Sequence, residues 1–264
     1  MAKNRYIQIL EVVFKKHHRK STDHVAFERS DLVEAAEELG IRLPKNLGDL
    51  LYSFRYRSDL PESITQHAPE SRQWIIRPAG RSRYEFVLVS NVQIAPSPVL
   101  AETKIPDATP GVIASYALND EQALLAKIRY NRLVDIFTGL TCYSLQSHLR
   151  TTVAGMGQVE TDEIYVGLDR RGAHYILTVQ AKGRKDRIGI VQIEQDAALC
   201  RAKFPNLIAR TIAAQLMDSN LIAILEIDMT PEGPRVSSEK HYRLVHPEEL
   251  SAQELETYCK RSLD

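Results

Sequence analysis

Cysteine is scarce: the three present, Cys142, Cys200 and Cys259, are widely spaced and form no CxxC pair. An odd, scattered set excludes a disulfide framework and a zinc knuckle, and it fits a reducing cytoplasm. An excess of one charge is missing too, since 34 Lys and Arg are matched by 34 Asp and Glu. A polybasic protein is therefore excluded, and any nucleic-acid surface has to be a local patch. No apolar run approaches the roughly 18 residues that a bilayer span requires, and the N-terminus leads straight into an amphipathic segment. The expectation is a cytoplasmic chain with no membrane association. Neither GxxxxGK[ST] nor GxGxxG occurs, which removes the usual phosphate cradles and predicts no nucleotide cofactor. The eight histidines contain no HExxH or HNH-like cluster, so zinc catalysis lacks its ligands.

What is present is ample apolar material, 44% of 264 residues, enough for one large core or two modest ones, with two preferred. Ile7, Leu10, Val13 and Phe14 recur at helical spacing. Ser30 precedes a second helix that Gly40 closes, Pro44 opens a third over residues 45–56, and residues 73–89 form two β-rich runs around a Pro/Gly turn. Three short helices followed by a hairpin is the order of a winged helix, so residues 1–90 read as a DNA-binding domain. Its third helix offers Lys45, Asn46, Arg55 and Arg57, and its wing Arg77, Arg81 and Arg83, to double-stranded DNA. Asp49, Asp59 and Glu62 dilute that patch and leave a protein-docking module as the alternative.

Residues 91–113 contain Pro96, Pro98, Pro106 and Pro110 with few bulky apolar residues, the composition of an extended linker. Residues 114–264 then read as a mixed α/β domain. Asn119 and Asp120 cap a helix running through Ala123, Leu124, Ile128 and Val134. Strand-like runs follow Gly139, and Ser251 to Glu254 have the spacing of a capping box.

The informative stretch is Gln158-Val-Glu-Thr-Asp-Glu-Ile-Tyr-Val through Gln180-Ala-Lys182, read as a β-hairpin. A three-residue loop, Arg170-Arg171-Gly172 with left-handed glycine, sets Asp169 opposite Ala173. Counting back, Asp162 falls opposite Gln180 and Glu160 opposite Lys182. Strict alternation then puts all four polar groups on one face, with Ile164, Val166 and Ile176 continuing it. Tyr165, Leu177, Val179 and Ala181 occupy the other face, and Glu163 also points away from the polar group. Two acids and a lysine inside a covered sheet need compensation. A carboxylate with amide and carbonyl oxygens can hold Mg²⁺, and a neighbouring lysine can stabilise a nucleophile or phosphoryl group. The pattern predicts metal-assisted phosphodiester hydrolysis.

These residues resemble the PD-(D/E)xK nuclease superfamily, the restriction-endonuclease-like fold: a mixed sheet flanked by helices, here preceded by a winged helix. Asp162 matches the metal-binding aspartate and Gln180-Ala181-Lys182 the (D/E/Q)xK element, over roughly residues 119–228. The first acid lacks its preceding proline, and the middle acid is a glutamine. The resemblance implies a Mg²⁺- or Mn²⁺-dependent DNA endonuclease with Asp162, Gln180, the Ala181 carbonyl and an accessory Glu121 as metal ligands, and Lys182 acting on the attacking water. Glu160 stays open between a second ligand and the cross-strand partner of Lys182. Glu121 stays open between a ligand and an ordinary first-turn acid. Arg184, Lys185 and Arg187 leave the catalytic strand as a basic loop suited to phosphates, and Gln192 and Gln195 fall near the site on the next helix. One site per chain calls for a homodimer or sequential nicking. Restriction or another form of genome defence is the leading role, with a structure-specific repair nuclease or a non-catalytic DNA-binding scaffold as alternatives.

Overall fold

The computed structural model describes residues 5–44, 47–56, 59–90, 94–116, 121–231 and 233–261. Its N-terminal part runs α1 (Arg5–His17), β1 (His24–Glu28), α2 (Arg29–Glu38), α3 (Leu47–Tyr56), α4 (Glu62–Thr65), β2 (Arg72–Pro78) and β3 (Arg83–Ser90). Ile9, Leu10, Val13 and Phe14 form one stripe of α1 and are buried against Leu32 and Ala36 of α2, Leu50 and Phe54 of α3, and Trp74, Ile76 and Phe86 of the sheet. The sheet is antiparallel in the order β1-β3-β2. The sequence pattern missed β1, whose five residues turn only Val25 and Phe27 inward. The second helix also starts earlier than expected. Glu28, not Ser30, is its N-cap, with the Glu28 backbone N–H donating to the Asp31 carboxylate at 2.6 Å.

The rest of the chain contributes β4 (Glu102–Pro106), α5 (Gly111–Tyr116), α6 (Glu121–Tyr130), α7 (Leu133–Thr138), β5 (Thr141–Val153), β6 (Gly157–Leu168), β7 (His174–Lys182), α8 (Ile190–Lys203), β8 (Ile208–Leu216), β9 (Leu221–Thr230), β10 (Gly233–Val245) and α9 (Ala252–Cys259). The strands form one mixed seven-stranded sheet ordered β4-β10-β9-β8-β7-β6-β5. Only β7 with β8 and β10 with β4 run parallel, and α8 is the crossover that the first of these pairs requires. Helices α6 and α7 cover one face through Leu124, Leu125, Ile128, Leu133 and Val134, while α8 covers the other through Ile193 and Leu199. The central hairpin β6–β7 is thus enclosed on both faces, which is why Ile164, Ile176, Leu177 and Val179 are all fully buried.

Two expectations for this region need correction. The proline-rich segment is not simply a linker: Ile94 is buried, and Glu102–Pro106 adds a parallel strand to β10, covering an edge that would otherwise be unpaired. Pro106 closes that strand, where its missing N–H costs little. The helix read through Val134 is instead two helices. Arg132 takes a left-handed φ of +50° between them, and the side chain of buried Asn131, just before it, holds the 107–109 turn. The Asn131 Oδ1 accepts the Ala108 N–H at 2.7 Å, and its Nδ2 donates to Asp107 Oδ1 at 3.2 Å and to Thr109 Oγ1 at 3.0 Å.

The two parts also share a core. Ile75, Val89 and Ile94 pack with Ile188, Ile190, Ile193, Leu225 and Ile227, and Arg77 forms a bidentate ion pair with Glu194 of α8.

Candidate active site at the open end of the central hairpin

The hairpin turn fixes everything downstream of it. Gly172 has φ +82°, its N–H donates to the Asp169 carbonyl at 3.0 Å, and the Asp169 N–H donates to the Ala173 carbonyl at 3.2 Å. The register then runs from Leu168 opposite His174 to Glu163 opposite Val179, as the three-residue loop requires. Beyond that pair the ladder between the strands ends, and so does strict alternation along β6. Val159 packs in the same cluster as Ile164 and Ile176 although it differs from Ile164 by an odd number of residues. The strand therefore changes face between them, around Asp162. The Asp162 carboxylate reaches across to β7, where Oδ2 accepts the Ala181 N–H at 2.9 Å in place of a ladder bond.

The four polar groups consequently do not form the single row that alternation predicts. The Glu160 carboxylate turns away to Arg150, which donates from Nε at 3.2 Å and from Nη2 at 2.7 Å. The Glu160 backbone oxygen is what faces β7. Lys182, 8% exposed, is partnered by Glu121 at the N-terminus of α6, with Nζ to Oε1 at 2.9 Å. Glu121 is thus brought to the site, and Glu160 contributes only its carbonyl. Glu163 lies on the opposite face as expected, buried with Arg129 Nε at 2.9 Å and Ser144 Oγ at 2.7 Å.

Gln180 is 1% exposed and turned toward α8. Its Nε2 donates to Asp196 Oδ2 at 3.0 Å and to the Glu160 carbonyl at 3.4 Å, while Gln192 Nε2 approaches its Oε1 at 3.5 Å. Gln192 and Asp196 are four apart and lie one above the other on the helix face toward β7. Burial pushes the Asp196 carboxyl up to about 8, helped by the nearby Asp162 charge. Gln195 is buried on the same helix. Sequence reasoning missed Asp196, because one acid inside a helix reads as a solvated position. It also missed His148 of β5, whose backbone has φ +50° and whose Nε2 lies 2.7 Å from Gln122 Nε2, beside Glu121. A lone histidine in a strand gives no spacing signal.

Among the described residues no three His, Cys, Asp or Glu side chains converge as a metal set. The donors on offer are the Asp162 carboxylate, the Gln180 amide oxygen and the Ala181 carbonyl, with Glu121 beside Lys182. They fit a hard, oxygen-seeking cation that keeps several waters, such as Mg²⁺ or Mn²⁺. Burial raises the Asp162 carboxyl above its usual range despite the Ala181 N–H bond and the Lys182 charge.

No protein-family model, curated protein or solved structure matches this chain. Its chemistry has to be read from the residues themselves.

The DNA-contact candidates divide sharply. Lys45, Asn46 and Arg57 lie outside the described residues. The Arg55 guanidinium is turned inward, with Nε and Nη2 inaccessible to solvent. Arg77 is instead turned to the buried Glu194 carboxylate of α8, which binds it bidentately, in place of the DNA-facing role expected on the wing. Arg81 and Arg83 are exposed at the β2–β3 turn, and Arg184, Lys185 and Arg187 are exposed in the loop between β7 and α8. Arg187 pairs with Asp59 at 3.2 Å, but both are 82% exposed, so the pair holds neither firmly.

Proposed function

We propose that the chain is a Mg²⁺- or Mn²⁺-dependent DNA endonuclease of restriction-endonuclease-like type, carrying an N-terminal winged helix that holds duplex DNA. The observation behind this reading is the meeting of Asp162, Ala181, Lys182 and Glu121 at the open end of β6–β7, with Asp162 Oδ2 2.9 Å from the Ala181 nitrogen and Lys182 Nζ 2.9 Å from Glu121. The α1-β1-α2-α3-α4-β2-β3 order, with β3 central in its sheet, supports the winged-helix reading.

Asp162, the Gln180 amide oxygen and the Ala181 carbonyl would hold the cation. When bound, it supplies Lewis-acid activation of water and of a phosphoryl oxygen. Lys182 carries an almost fully buried ammonium whose partner, Glu121, is itself partly exposed. Exchange of that partner for water or phosphate lets Lys182 orient the nucleophile and stabilise charge on the phosphoryl group. Arg184 and Lys185, just beyond the strand, meet the flanking phosphates. A cytoplasmic protein that dimerises on DNA, serving restriction or genome defence, completes the reading.

The test is cleavage of supercoiled plasmid with Mg²⁺ by the full chain and by Lys182→Ala and Asp162→Asn. Each substitution is expected to lower the rate about 10²- to 10³-fold. Equal residual activity in wild type and Lys182→Ala rejects the assignment. The burial of Gln180, in place of an acid, favours one rival: a non-catalytic DNA-binding scaffold, which would shift duplex DNA on a gel and cut none of it. Preference for branched over linear duplex would indicate repair rather than restriction.

A further inference from the structure

Asp196 is the buried polar group that the proposed chemistry leaves unused. It is 1% exposed, sits one residue before the apolar run Ala197, Ala198 and Leu199, and has no hydrogen-bond partner for Oδ1 among the described residues. Burying a carboxyl costs stability unless it is compensated. Its Oδ2 accepts from Gln180 Nε2 at 3.0 Å, and the Thr161 side chain is its other polar neighbour.

That contact decides an ambiguity specific to glutamine. An aspartate or glutamate offers two equivalent oxygens, whereas an amide offers an oxygen at one end and two N–H donors at the other. Only the oxygen can ligate a cation. The Glu160 backbone carbonyl, 3.4 Å from Nε2, can only accept, and Asp196 Oδ2 is a second acceptor on the same side, whether the carboxyl is ionised or holds its proton on Oδ1. The contact to Oε1, from Gln192 Nε2, is long at 3.5 Å. We propose that Asp196 is the positioning residue that turns the Gln180 amide so that its oxygen is the end offered to a divalent cation. This inference rests on the metal-dependent reading above.

The test measures Mn²⁺ alone binding to the full chain, by calorimetry without DNA, alongside the Mg²⁺ dependence of plasmid cleavage. Asp196→Ala, which cannot clash and suits a helix interior, is expected to weaken Mn²⁺ binding about 10- to 100-fold. It should raise the Mg²⁺ concentration needed for half-maximal rate more than it lowers the rate at saturating Mg²⁺. Asp196→Asn keeps an acceptor oxygen and is expected to retain most of the affinity. In a Gln180→Glu background no end has to be chosen, so Asp196→Ala should cost little there, whereas a merely structural role would cost the same in both. Unchanged Mn²⁺ affinity in a folded Asp196→Ala, or equal losses in the two backgrounds, overturns the proposal. Asp196→Leu, which refills the space, provides the same comparison should the alanine variant not fold. A wild-type chain that binds no Mn²⁺ and cuts no plasmid overturns the nuclease reading itself. A wild type that binds and cuts while ignoring Asp196 overturns only the positioning role.

Discussion

Arg77→Ala removes the guanidinium that reaches Glu194 from β2, with Nε 2.8 Å from Oε2 and a second bond from Nη2 to Oε1. The Glu194 side chain is 9% exposed and that of Arg77 is 27%, so truncating the arginine strands a carboxylate that water can barely reach. Breaking a fully buried pair from one side costs about 3–5 kcal/mol, and the partial exposure of Arg77 brings the expected loss to about 2–3 kcal/mol. For a chain of this size that corresponds to a Tm lower by about 4–6 °C. Glu194→Ala should cost less, because the arginine left behind can turn to solvent, and the double variant should cost less than the sum. Trp74, the only tryptophan, is buried in the N-terminal core, so its fluorescence reports that part while far-UV circular dichroism reports the whole chain. The shared cluster of Ile75, Val89, Ile190 and Ile193 predicts coincident transitions by both probes. A loss under about 0.5 kcal/mol, the range of an ordinary surface substitution, or two separated transitions, would refute the idea that the ion pair joins the two parts.

Asn131→Ala should destabilise by about 2–3 kcal/mol in denaturant unfolding, since it leaves the Ala108 N–H and the Asp107 carboxylate without their partner. Glu163→Gln should lower stability through its bonds with Arg129 and Ser144 while leaving plasmid cleavage unchanged, because its carboxylate is held by those two residues and not by Lys182 or Asp162. Ser251→Ala should fray α9 by about 1 kcal/mol, seen as faster amide exchange confined to its first turn. Asp196 has its pKa raised in the folded state to about 8, so it carries a proton there that the unfolded chain releases near pH 4. Its contribution to stability is complete below that pH and falls steadily as pH rises toward about 8. Asp196→Asn should flatten the stability profile across that window, and an unaltered slope would count against the shift.

The legible parts of this fold are those where a local rule has one outcome. A three-residue loop with glycine at its left-handed position fixes the β6–β7 register from Leu168 opposite His174 to Glu163 opposite Val179. The Ser251–Glu254 capping box likewise places α9 by itself. The failures come from interactions distant in sequence. Nothing local says that residues 102–106 pair with β10, that the Asn131 side chain holds Asp107 and Thr109, or that Glu194 captures Arg77 from more than a hundred positions away. The slip at Asp162 is a third kind of failure. Alternation assumes a paired strand, and the pairing of β6 with β7 stops just before the residue of greatest interest.

Helix α8 explains why the most consequential element carried the faintest signal. From Ile190 to Cys200 every residue but Gln192 is buried, so there is no polar face to mark it as amphipathic. It lies between the N-terminal part and the sheet. Ile190, Ile193 and Glu194 meet the first, and Gln192 and Asp196 meet Gln180 on the second. A helix with apolar neighbours on every side can retain charged residues only where a partner reaches each one, and here Arg77 and Gln180 do so from opposite directions. The N-terminal part is therefore a wall of the compartment that holds Gln180. Removing residues 1–90 would expose Ile190, Ile193 and an unpaired Glu194, so loss of the candidate site on truncation would follow from lost burial even before any contact with DNA is considered.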